Sequence, residues 1–81
     1  MTELEATFFD LLEPEAPDVA PLGEDHLRLL AFHLATTARD AVAGVMKPGE
    51  CDVAMRQILR GGGYPRHLAA PAARRLVEFV A

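Results

Sequence analysis

Serine, asparagine and tryptophan are missing from this 81-residue chain, and cysteine and lysine occur once each. Without serine there is no serine nucleophile. The single cysteine, Cys51, excludes an internal disulfide, has no Cys-x-x-Cys partner and is compatible with a reducing compartment. No basic residue stands in the first 25 positions, so a cationic leader ahead of an apolar run is not found and no secretory signal is expected. The longest uncharged stretch of the apolar part, residues 29–38, is ten residues long and includes His33, which is too short to span a bilayer. A soluble, cytoplasmic protein with no membrane partner is the expectation. Seven arginines against one lysine, with no serine or asparagine, suggest a GC-rich genome and hence a bacterial source.

What is present is charge, and it is sorted. Residues 1–25 carry eight acids (Glu3, Glu5, Asp10, Glu13, Glu15, Asp18, Glu24, Asp25) and no base. Residues 26–81 carry four acids and all eight Lys and Arg, so −8 is followed by +4 and the net charge is −4. Residues 53–77 hold five arginines and no carboxylate. The acidic front therefore has two destinations: its own basic rear, or another molecule. A net negative chain disfavours indiscriminate nucleic-acid binding.

One small domain is all that this length allows, with a thin stability margin. Fourteen alanines swell the apolar fraction while adding little apolar area. The large apolar set, led by eleven leucines, suffices for one core of three or four helices. Further burial against a second chain is a reasonable expectation at this size.

Three segments are expected: a short N-terminal helix (1–12), a Pro-rich acidic connector (13–23) and a helical body (24–81). Thr2 with Glu5 fits a capping box, Leu4, Phe8, Leu11 and Leu12 recur at helical spacing, and Pro14 stops the helix. Pro14, Pro17 and Pro21 favour an extended, semi-rigid connector that can swing the first helix away. The longest helix is expected over about residues 24–46. Its buried stripe is Leu27, Leu30, Ala31, Leu34, Ala38, Ala41, Val42 and Val45, widened by Leu29 and Phe32. Alanines 31, 35 and 38 invite a close helix neighbour. Lys47-Pro48-Gly49-Glu50 reads as a turn, and a third helix follows over about residues 50–60, burying Val53 or Ala54, Met55, Ile58 and Leu59. The run Gly61-Gly62-Gly63 reads as a cap and flexible hinge. Pro65 is expected to begin a short turn through Leu68, and Pro71 to open the last helix at its first position. There Ala73, Leu76, Val77 and Val80 form the apolar stripe, with Arg74, Arg75 and Glu78 outward. The fold class is all-α, a small helical bundle of three main helices plus the short first one.

No catalytic constellation emerges. Cys51 lies near a helix start, which lowers a thiol pKa, but Glu50 and Asp52 flank it and push the other way. The three glycines lack the Gly-Lys-Ser/Thr of a phosphate loop. His26, His33 and Asp40 are seven apart, hence about 10.5 Å along a helix, too far to share a metal. No metal site and no cofactor are expected. His33 is expected to be half-buried and bonded to a carbonyl or threonine, and His67 to be a surface residue beside Tyr64.

Two surfaces stand out. Phe8, Phe9, Leu11 and Leu12 on a short acidic helix suit a helix-in-groove contact with a protein partner, or exchange in a dimer; the bland reading is that they cap this chain's own core. Arg56, Arg60, Arg66, Arg74 and Arg75 form a candidate basic face. Its bland reading is a solvated surface paired with the acidic front. A helix-turn-helix reading is opposed by the loose Gly-Gly-Gly-Tyr-Pro connection and by Pro71. The favoured function is a non-catalytic protein–protein interaction protein: an accessory subunit, adaptor or inhibitor that docks on a larger partner. The alternatives are a nucleic-acid-binding regulator using the arginine face and a small subunit of a multi-subunit enzyme.

Overall fold

Thr2 opens the first helix by accepting the Glu5 amide on its Oγ1 at 3.2 Å. The computed structural model describes residues 2–80, which form α1 (Glu3–Leu11), a 3₁₀ turn (Ala20–Leu22), α2 (Glu24–Val42), α3 (Pro48–Gly61) and α4 (Arg66–Val80). No strand occurs among the described residues, and the fold is an all-α bundle of four helices. The central helix is α2, which packs on α1 and α3; α4 lies on α3 and also touches α1 and α2.

The packing follows from side-chain size. The inner faces of α2 and α4 are rich in alanine: Ala31, Ala35 and Ala38 on one, Ala69, Ala72 and Ala73 on the other, all buried. Small faces need large knobs opposite them, and α1 supplies Phe8 and Leu12, four apart and so on one side of the chain's first turns. Both are 0% exposed. The α3 stripe is Cys51, Met55 and Leu59, again at steps of four. Of the pair Val53 or Ala54 expected inside, Val53 stands out in solvent and Ala54 is partly buried, because that stripe runs through Cys51 instead.

The proline-rich connector is not extended. A run of short-range bonds folds it back: Ala16 N–H to Glu13 O at 3.0 Å, Val19 N–H to Ala16 O at 2.9 Å, and Leu22 N–H to Val19 O at 3.0 Å. Val19 is fully buried and pins the segment to the body. The three prolines exclude a regular helix but not a succession of tight turns, for which their fixed φ is suited. The radius of gyration is 11.5 Å, against about 11.7 Å for a compact chain of this length. The exposed area of 4781 Å² matches the roughly 4800 Å² of a compact monomer of 8.8 kDa. The first helix is folded in, not swung out.

Helix ends account for the remaining departures. The second helix stops at Val42, four residues short of expectation, because Gly44 takes φ +81° and closes a Schellman motif: Val45 N–H bonds Asp40 O at 2.9 Å and Gly44 N–H bonds Ala41 O at 3.1 Å. Val42 and Val45 therefore leave the buried stripe and are each 73% exposed, while Leu29 and Phe32 lie on the outer face. The glycine run is a second such cap, not a hinge. Tyr64 N–H reaches Leu59 O at 2.9 Å and Gly63 N–H reaches Arg60 O at 3.1 Å. Gly62 packs directly beneath the Leu30 side chain, where an added Cβ would collide. Pro71 sits inside α4, not at its start. Pro71 and His67, whose carbonyl loses the i→i−4 bond, are both exposed, so the missing donor lies at the solvent side of the helix.

The fold makes a direct prediction about α1. Phe8→Ala is expected to lower the unfolding free energy by about 3–5 kcal/mol in urea titration. Val45→Ala is expected to change it by less than about 0.5 kcal/mol.

Candidate functional site

The aromatic and leucine set of α1 comes apart in the structure. Phe8 and Leu12 have no surface to offer a partner while the chain holds this fold. Phe8 meets the Phe79 ring edge-on, with centroids 6.2 Å apart. Phe9 and Leu11 are only partly buried. The Arg28 guanidinium lies over the Phe9 ring, 5.5 Å from its centroid, and its Nη2 donates to Glu24 Oε1 at 2.7 Å. Of the four residues, Phe9 and Leu11 alone keep exposed surface.

Leu11 and Leu12 matter through their carbonyls. Glu13 follows them at φ +54°, the position that glycine fills at the ends of α2 and α3. Its N–H bonds Asp10 O at 3.1 Å, but the next residue is Pro14 and has no N–H to complete the cap. Two distant side chains close the end instead. The Tyr64 hydroxyl donates to Leu12 O at 2.8 Å, and Arg75 Nη2 donates to Leu11 O at 3.3 Å. A guanidinium at this carbonyl end also opposes the negative pole of the helix.

The five arginines do not act as one face. Arg75 is engaged as described, and Arg56 pairs with Asp52 at 3.1 Å on its own helix. Arg60, Arg66 and Arg74 are exposed and make no ion pair among the described residues. The cations that meet the acidic front come mostly from α2: Arg39 lies 3.8 Å from Glu5 and donates to Thr2 Oγ1 at 2.7 Å, and Arg28 holds Glu24. Glu5 turns to Arg39, so only the Thr2 half of the expected capping box forms. His67 Nε2 stands 3.1 Å from Asp18 Oδ2 on the surface. Such exposed pairs contribute at most about 1 kcal/mol each. Glu3, Asp10, Glu13, Glu15 and Asp25 stay exposed without an ion pair among the described residues.

The surface is indented at the start of α3, beside Val53 and Gln57, and at two places that involve α1. An apolar groove of about 450 Å³ runs between α1, α2 and α4, lined by Leu4, Ala38, Val42 and Val80 with Arg39 at its edge. Two further depressions, of about 500 and 240 Å³, adjoin at the α1–connector corner and share Phe9, Pro14 and Glu15.

Cys51 and Tyr64 are inward-facing. Cys51 is buried, and that burial, with Asp52 beside it, pushes its thiol above the ordinary range. The helix-start effect is outweighed. Burial also raises the Tyr64 phenol, with Arg75 pulling against it and Glu13 adding to it. His26 Nε2 bonds the Gly62 carbonyl and so ties α2 to the end of α3. His33 is exposed rather than half-buried; its ring meets Phe32 edge-on at 5.5 Å. Among the described residues no three His, Cys, Asp or Glu gather as metal ligands, and no helix is long and apolar enough to cross a membrane. Comparison with protein-family models, curated proteins and solved structures finds no match.

Tyr64 gives a pH signature. The fold holds the neutral phenol, so its contribution is whole below the unfolded value of about 10 and is lost as pH rises through the higher folded value. Tyr64→Phe is expected to cost about 1–3 kcal/mol at neutral pH, because the buried Leu12 carbonyl loses its donor. In urea titrations repeated above about pH 10, the gap between wild type and variant should narrow.

Proposed function

We propose that the chain is a non-catalytic interaction protein that docks on a larger protein partner through its sorted charge. The observation carrying this reading is that folding leaves charges of both the front and the rear exposed and unpaired. Five carboxylates of the front and three guanidinium groups of the rear remain outward and unpaired among the described residues. Folding of this chain uses neither set, and exposed, unpaired charges steer and orient association. A buried core forms within the single chain, and Leu29, Phe32, Val42 and Val45 stay exposed along with these charges. A cytoplasmic setting and a bacterial source are part of the same proposal.

A second reading rests on Arg60, Arg66 and Arg74, which together suit phosphate contact without base reading. Three such contacts would give a shallow salt dependence, with log K falling by about 2.7 per decade of salt.

The test is co-purification from the native host with tagged wild type, Glu13→Lys/Glu15→Lys and Arg60→Glu/Arg66→Glu, each checked by circular dichroism. A stoichiometric protein held by the wild type at low salt, and lost in a folded charge-reversal variant, is the expected result. Retention of the same proteins by all three chains, or of nucleic acid alone, would overturn it.

A further inference from the structure

The corner where α1 meets the connector combines an apolar floor with a carboxylate rim. Phe9 and Pro14 form the floor shared by both depressions, with Ala16 beside one and the buried Leu27 beneath the other. Asp10, Glu13 and Glu15 border the larger depression, and Glu15 and Glu24 the smaller. The chain itself displays the chemistry this corner recognises. Arg28 lies over the Phe9 ring and bonds the Glu24 carboxylate, a guanidinium held between an aromatic face and an acid.

We infer that the Phe9–Pro14 depression docks an arginine- or lysine-bearing apolar segment of the partner, whose stems cover the floor and whose cations meet Glu13 and Glu15. This rests on the interaction role proposed above and names the chemistry of the partner. Charge complementarity selects that occupant: Asp10, Glu13 and Glu15 have no ion-pair partner among the described residues, and long cationic side chains carry apolar stems that suit such a floor. The corner is also pre-formed. Tyr64 and Arg75 bind the carbonyls just ahead of it, and buried Val19 anchors the chain just after it, so little order is lost on binding.

The experiment is an amide NMR titration of the full chain with a synthetic twelve-residue peptide of alternating arginine and leucine. Shifts are expected to saturate and to centre on residues 9–16 and on Glu24. Affinity should fall about tenfold in Glu13→Gln/Glu15→Gln and change little in Glu3→Gln/Asp25→Gln, which alters net charge equally. Equal loss in the two variants, or shifts spread over every acid, would overturn the inference as diffuse attraction. Self-association of the free chain, broken by Arg60→Glu/Arg66→Glu, would overturn it in favour of a second copy. Where the native partner survives Glu13→Gln/Glu15→Gln but is lost with Arg60→Glu/Arg66→Glu, this inference fails while the interaction role stands.

Discussion

The last carbonyls of α1 are the point on which the rest of the structure turns. Glycines Gly44 and Gly63 let α2 and α3 close their own ends with two backbone bonds each. The first helix has Glu13 and Pro14 there and manages one such bond, from Glu13 N–H to Asp10 O. Orphaned carbonyls at a buried helix end are costly, and Tyr64 and Arg75 satisfy them from 52 and 64 residues downstream. Tyr64 is in place because the glycine cap of α3 drops it inward beside Leu59. A defect in one helix end is thus repaired by the completed end of another, and the repair joins front to rear.

Much of the fold was legible in the sequence. The helical steps of α2, the Thr2 cap and the all-α class follow from periodicity and composition. The alanines of α2 announced a close neighbour, and the matching alanines of α4 with Phe8 and Leu12 opposite complete that logic. Other features were misread because two physical rules compete at the same residues. Three prolines suggest extension, yet each also presets a turn, and the burial of Val19 decides for turns. Val42 and Val45 continue an apolar rhythm, but Gly44 ends the helix first. That glycine followed by an apolar residue is a readable stop signal. Gly63 followed by Tyr64 is the same signal, and it was the clue to the clamp on α1.

The site was less legible than the fold. Linear charge sorting locates acids and bases along the chain but not in space. It does not reveal that Arg39, which pairs with Glu5 of α1, sits on α2, or that Arg75 faces inward. Nor does helical spacing distinguish a docking face from a core face, since Phe8 and Leu12 satisfy both descriptions. What folding adds is a separation: the apolar half of the leading segment is consumed in the core, and its carboxylates are left outside around Phe9 and Pro14. An interaction role for the chain draws on those charges rather than on a free arm.

Native-state hydrogen exchange of the α1 amides measures most directly whether the acidic front is integral to the domain. The account predicts that the protected amides of residues 7–12 open only with global unfolding, at the same free energy as the buried turns of α2 and α3. Opening of those amides well below the global value, while α2 and α3 stay protected, would contradict it and restore the picture of a detachable arm.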